Sequence, residues 1–120
     1  MLVGIDNLDI VRMEKFTQNQ RNLGKIFTPY EAMYISKTNR STQRMAGIFC
    51  AKEAFLKALG VGVRNGIDFS EIEVKHEPSG KPYLVVSDKV KILMFTKGVK
   101  EIQISIAHTD DICTAICVLS

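Results

Sequence analysis

The stretch from Ser41 to Leu59 leaves the chain least freedom. Met45, Ile48, Phe49, Phe55, Leu56 and Leu59 recur at helical spacing, and Gly60 supplies the left-handed residue on which helices stop. One long helix, starting near Ser41 or Thr42 and ending at Leu59, is expected. Lys52, Glu53 and Lys57 are expected on the side away from the apolar stripe. Glu53 and Lys57 are four residues apart, so they share a face one turn from each other.

Shorter elements flank this helix. Residues 2–5 read as an apolar strand, and Asp9 sits where the chain leaves it. Over residues 10–16, Ile10, Met13 and Phe16 fall on one helical face, while Arg12 and Lys15 project elsewhere. The polar stretch 17–25, with Arg21 and Lys25, reads as a solvated helix end or loop. Thr28-Pro29-Tyr30-Glu31 is a helix start: Thr28 caps, Pro29 fits the first position and Glu31 completes a capping box. That helix is expected to end near Ser36, before a polar loop over 37–42. Gly60, Gly62 and Gly66 punctuate a further loop. Residues 69–75 and 83–86 read as two strands of a hairpin around the turn from Glu77 to Pro82. Asp88 is expected to cap a helix that runs to Lys97 and stops at Gly98. Ile102, Ile104 and Ile106 alternate as a strand, and residues 112–119 return as its antiparallel neighbour. With no linker or repeat, this order predicts a single α+β domain over residues 1–120.

The length agrees, since 120 residues is one domain's worth and needs neither disulfide nor metal to fold. No apolar run approaches the roughly 20 residues of a membrane helix. The first residues lack a basic flank and acquire charge by Asp6, so neither a signal peptide nor a membrane partner is expected. The net charge of +3 comes without a basic cluster. Nucleic acid is therefore not expected, while an anionic ligand or an acidic partner suits it. Cys50, Cys113 and Cys117 are odd in number and form no CxxC pair. They read as buried small hydrophobes in a reducing cytoplasm.

Asp9 closes a strand and Glu53 sits on a largely apolar helix. Two carboxylates from distant segments, if they converge, make a hard oxygen site of the kind Mg²⁺ uses together with waters and substrate phosphate. Lys57, one turn from Glu53, would then neutralise a phosphate beside the metal. His108 and Thr109, at a strand end, add hydrogen-bond donors for an anion. Taken alone, each feature is more often structural: a cap, a surface ion pair, a polar turn.

The string Phe49-Cys50-Ala51-Lys52-Glu53-Ala54-Phe55-Leu56-Lys57-Ala58-Leu59-Gly60 resembles the F-x-x-K-E-A-x-x-K-A-x-G signature of the 4′-phosphopantetheinyl transferases. Other segments agree in order: Gly4 to Val11, Gly60 to Val74, Gly80-Lys81-Pro82 and Ile104-Ser105-Ile106-Ala107-His108. The short chain is similar to the acyl-carrier-protein branch of that family. The resemblance implies a curved antiparallel sheet wrapped on one long helix. It implies Mg²⁺-dependent transfer of 4′-phosphopantetheine from coenzyme A to a serine of apo acyl carrier protein, with release of adenosine 3′,5′-bisphosphate, in fatty acid biosynthesis. It implies a cytoplasmic homotrimer with active sites at subunit interfaces. Carried over by residue, Asp9 and Glu53 hold Mg²⁺ and, with Lys57, form the catalytic set. Arg44, Lys57, Gly60, Lys81, Pro82, Ser105, His108 and Thr109 contact coenzyme A, some of them from a neighbouring subunit. Arg12, Lys15, Arg21 and Lys25 face the acidic carrier protein. The base that takes the serine proton is left between Glu53, Asp9 and a metal-bound water, the water being favoured because the cation engages both carboxylates.

Two departures bear on these assignments. Family members read G-x-G-x-D-I-V, whereas Gly4-Ile5-Asp6-Asn7-Leu8-Asp9-Ile10-Val11 lacks the second glycine and has two aspartates. Ile10-Val11 after Asp9 favours Asp9 as the ligand; Asp6, directly after Gly4-Ile5, is the alternative. Many relatives also carry Arg just before the signature Phe, near the coenzyme A 3′-phosphate. Here that residue is Ile48, and Arg44, one turn earlier, is the expected substitute. A non-catalytic carrier or coenzyme A binding module on the same fold is the competing reading. Retention of both carboxylates with Lys52 and Lys57 argues against it.

Overall fold

A computed structural model of the chain describes residues 1–62 and 65–120; Val63 and Arg64, inside the glycine-punctuated loop, lie outside the described residues. The long helix forms as expected: α4 runs from Ser41 to Leu59 and stops at Gly60, whose φ of 75° is left-handed. Ahead of it come β1 (Leu2–Asp9), α1 (Ile10–Phe16), α2 (Gln20–Ile26) and α3 (Pro29–Ser36). After it come β2 (Ile72–His76), β3 (Pro82–Val86), α5 (Asp88–Thr96), β4 (Ile102–His108) and β5 (Ile112–Leu119).

Antiparallel sheet packs around α4 as expected of this α+β domain, and it is divided into two parts. One is antiparallel with strand order β1-β5-β4, and the other is the β2-β3 hairpin. Strand alternation sends Gly4, Asp6 and Leu8 of β1 inward, together with Cys113, Ala115, Cys117 and Leu119 of β5. Val3, Ile5, Ile112 and Ile116 are exposed on the outer face.

The contact that fixes this packing is at Gly4. A Cβ built there would lie 2.1 Å from the Ala54 carbonyl oxygen and 2.5 Å from the Ala58 nitrogen. The strand therefore rests directly on helix backbone, and only glycine opposite two alanines permits it.

Several local expectations are corrected. The 17–25 stretch is not a loop end: Asn19 caps α2 by accepting from the Arg21 amide, and Ile26 buries the far end. Residues 69–71 coil into a 3₁₀ turn, held by the Asp68 amide on Glu71, so β2 starts at Ile72. Ser87, not Asp88, caps α5 through the Val90 amide. The Thr28–Glu31 capping box is present as expected.

Lys52 is the largest correction. It is fully buried, because its spacing from Ile48, Phe49, Phe55 and Leu56 places it inside the apolar stripe. Its ammonium pairs with Glu31 at 2.7 Å, donates to the Phe69 carbonyl at 3.0 Å and also donates to the Ile26 carbonyl. Glu31 in turn accepts from the Thr28 amide at 2.9 Å and the Val74 amide at 2.7 Å. Every charge in this buried pair has partners, which is the condition for tolerating it. The pair ties α2, α3, the 3₁₀ turn and β2 to one point on α4.

Gly4→Ala is expected to destabilise the protein by about 3 kcal/mol or more in urea unfolding, because helix backbone cannot yield to the added methyl. Gly24→Ala is the control, with nothing within 4 Å of its added Cβ; it is expected to be neutral or stabilising by about 0.5–1 kcal/mol. Equal effects of the two substitutions would contradict the packing.

Candidate functional site

Inward alternation on β1 and one-turn spacing on α4 bring three charged residues together. Lys57 Nζ lies 2.9 Å from Asp6 Oδ1 and donates to the Ile5 carbonyl at 3.2 Å. The Asp6 side chain is 13% exposed and that of Lys57 is 53% exposed, so the cluster opens to solvent on the lysine side. Glu53, one turn before Lys57, is half-buried. Burial, and then the negative charge of Asp6, push its carboxyl above the ordinary range, and Lys57 offsets this only in part. The hydrogen bond to Asp6 raises the Lys57 ammonium. The site thus holds two carboxylates, of which Lys57 bonds only one.

Asp9 is not brought to this site. It is the last residue of β1, exposed, and opposite Ile112 in the outward-facing register. Its odd position places it on the face away from α4, whereas Asp6 shares the face of Gly4.

A second cluster lies on a different side of α4. Tyr34, Arg40, Arg44, His76, Pro82 and His108 line a cleft of about 330 Å³ that also includes Gly80 and Ile48. Nine residues separate Arg44 from Glu53, about two and a half turns, so the two side chains leave opposite faces of α4. The remaining expected coenzyme A residues are dispersed. Gly60 ends α4, Lys81 is exposed in the hairpin turn, and Ser105 lies on the outward face of β4. Thr109 turns the chain, its hydroxyl accepting from the Asp111 and Ile112 amides. Arg12, Lys15, Arg21 and Lys25 are all exposed on α1 and α2.

Two features escaped the sequence reading. Phe16, Phe49 and Phe69 form a row, with ring centroids 6.5 Å and 5.5 Å apart, one turn along α4 from Glu53. Tyr34 and His76 stack in the second cleft. The first was hidden because Phe49 reads as core; the second joins elements far apart in the chain.

Comparison with known proteins supplies independent findings. The 4′-phosphopantetheinyl transferase superfamily pattern matches residues 2–117. The chain is 40% identical to holo-[acyl-carrier-protein] synthase of Fusobacterium nucleatum over 99% of each chain. It superposes on the crystal structure of the Neisseria meningitidis holo-[acyl-carrier-protein] synthase with a TM-score of 0.91 at 27% identity, covering 100% of this chain and 99% of that one. The Helicobacter pylori enzyme, crystallised in complex with coenzyme A, superposes with a TM-score of 0.85 at 28% identity over 99% and 100% of the two chains.

The Glu53 shift predicts a measurable stability effect. The unfolded chain ionises this group in the ordinary carboxylate range, while the folded chain holds the proton to higher pH. The stability it contributes is therefore full at low pH and lost as pH rises through the raised value. Glu53→Gln is expected to melt higher than wild type at pH 7 without divalent metal, with the gap closing below about pH 4. A variant no more stable than wild type at pH 7 would contradict this account of Glu53.

Proposed function

Because the chain belongs to the 4′-phosphopantetheinyl transferase superfamily, we propose that it is a transferase that moves 4′-phosphopantetheine from coenzyme A to a serine hydroxyl of apo acyl carrier protein. The products are holo carrier protein and adenosine 3′,5′-bisphosphate, and the reading includes a cytoplasmic location and a role in fatty acid biosynthesis. The observation that carries this reading is the convergence of Asp6, Glu53 and Lys57 across β1 and α4. One transferase domain over residues 1–120 is part of the reading.

The residues present fit Mg²⁺. Asp6 and Glu53 are hard oxygen donors whose mutual repulsion with burial already disfavours two negative charges. Among the described residues no cluster of three or more His, Cys, Asp or Glu could hold a metal. A two-carboxylate site that leaves the rest of the shell to water and phosphate suits Mg²⁺. Asp6 and Glu53 would hold the ion, with Asp6 taking the place that the sequence assigns to Asp9. When bound, Mg²⁺ offsets negative charge on the pyrophosphate.

The chain's own groups do the rest. Lys57 has three donors. Two are spent on Asp6 and the Ile5 carbonyl, which leaves the third for a phosphate oxygen of the leaving group. With both carboxylates given to the ion, the serine proton would pass to a water as the hydroxyl attacks the β-phosphate. Exposed Arg12, Lys15, Arg21 and Lys25 present positive charge to an acidic carrier.

The arginine-lined cleft and the carboxylates leave opposite faces of α4, so one chain does not offer both to one coenzyme A. A neighbouring copy would bring its Arg44, Pro82 and His108, with Lys81, Ser105 and Thr109 near the seam and Gly60 from the first copy. The exposed outer sheet face supports such an assembly. Val3 is 58% exposed, Ile5 55%, Ile112 45% and Ile116 39%, an apolar surface suited to packing copies into a homotrimer.

Mass spectrometry of apo acyl carrier protein incubated with coenzyme A, Mg²⁺ and this protein is expected to show one added phosphopantetheine group. Absence of that gain leaves the binding-module reading instead. Asp6→Asn is expected to slow the transfer about a hundredfold or more, and Asp9→Asn to leave it within a few-fold. The reverse ranking would return the metal to Asp9.

A further inference from the structure

Lys52 and Glu31 are both fully buried. Stability does not account for such a pair, because well-packed apolar side chains of similar volume serve as well or better. What an apolar side chain lacks is direction. An ammonium has three donors. Here each has its own acceptor: Glu31 Oε1 at 2.7 Å, the Phe69 carbonyl at 3.0 Å, and the Ile26 carbonyl.

The Ile26 carbonyl is the informative partner. Ile26 is the last residue of α2, and a helix leaves its final carbonyls without partners of its own. The helix is lightly held otherwise. It has seven residues, and among its described residues only Ile26 is buried. A helix that short is not stable by itself. The chain leaves it at Phe27, also buried, whose ring centroid lies 6.0 Å from the Lys52 ammonium. Lys52 therefore grips α2 at its C-terminal end, while Arg21 and Lys25 stand exposed on the same helix. Lys25 is the chain neighbour of Ile26, and Glu53 is the chain neighbour of Lys52. Two adjacent residues of α4 thus reach two different places: one the carboxylate cluster, the other the helix whose charges face outward.

A transfer between two macromolecules needs that link. The attacking hydroxyl must come within about 3–3.5 Å of the phosphorus while the rest of the carrier rests on charges elsewhere. A loosely held helix would attract the carrier without fixing its register, and ordering that helix on binding would lower affinity.

We propose that Lys52 is a positioning residue for the carrier protein: it holds α2, with Arg21 and Lys25, in fixed register with Glu53. This rests on the carrier-protein reading above. It also gives the buried ammonium a purpose that burial alone does not.

Steady-state transfer kinetics test it. Lys52→Met removes the three donors and keeps an apolar chain. Its KM for apo carrier protein is expected to rise about tenfold, the value of one hydrogen bond to a charged group. Its KM for coenzyme A is expected to stay within about twofold. The deciding readout is the coupling. Lys25→Ala is expected to raise the carrier KM in wild type and to raise it less in Lys52→Met, where α2 has already lost its register. Arg12→Ala is the control, because none of the three acceptors of Lys52 belongs to α1; its effect is expected to be the same in both backgrounds. Additive effects of Lys25→Ala and Lys52→Met, or equal rises in both KM values, mark a merely structural lysine and overturn the proposal. Should Lys52→Met not fold, hydrogen exchange of the wild type decides. The Lys25, Ile26 and Phe27 amides are expected to exchange as slowly as those of α3, and rapid exchange there overturns the proposal. These failures leave the carrier reading standing. A wild type whose carrier KM ignores both Arg12→Ala and Lys25→Ala sinks that reading, and this inference with it.

Discussion

Everything in this molecule is referred to the place where β1 lies on α4 at Gly4. The strand comes so near that a Cβ would overlap the Ala54 carbonyl. Such an approach fixes both the height and the rotation of the strand against the helix. Asp6 is two residues further along the same inward face, and its partner Lys57 is one residue before Ala58. A strand held even one side chain further out would leave Asp6 too far to bond the ammonium. The charged cluster is a consequence of backbone packing rather than of loop placement, which gives it the rigidity that electrostatic catalysis requires.

The helix then works on three sides. One meets the sheet through small residues, Cys50, Ala54 and Ala58, all buried. Another carries Lys52 into a buried pair with Glu31, to which α2, α3 and β2 are tied by backbone hydrogen bonds. Burial lowers the proton affinity of the Lys52 ammonium, and Glu31 offsets this in part. The third faces the cleft with Arg44 and Ile48. Carboxylates and cleft diverge on opposite faces, which is why the proposed site draws on a second copy. The exposed isoleucines of β1 and β5 form the apolar face on which the proposal seats that copy.

Much of this was legible in the residues. The apolar stripe with its Gly60 stop located α4 to the residue, and the Thr28–Glu31 box did the same for α3. The K-E-A segment pointed to the family. The different placement of Asp6 and Asp9 has a definable reason. The strand was expected to end at residue 5, but it is paired with β5 as far as Asp9. Once alternation runs that far, Asp6 turns inward with Gly4 and Asp9 turns out. Lys52 was misplaced because a hydropathy pattern cannot record a lysine that finds a buried carboxylate. The Tyr34–His76 stack joins α3 and β2, and no local spacing encodes it. The lone β2 histidine carried no signal of its own.

The central claim is that β1 and α4 together hold the metal and phosphate end of the site. Crystals grown with coenzyme A and Mn²⁺ in place of Mg²⁺ test it through the anomalous signal of the ion. The account predicts one peak at bonding distance from the carboxylates of both Asp6 and Glu53, with Lys57 on a pyrophosphate oxygen. A peak on Asp9, or one that touches neither strand nor helix, would contradict it.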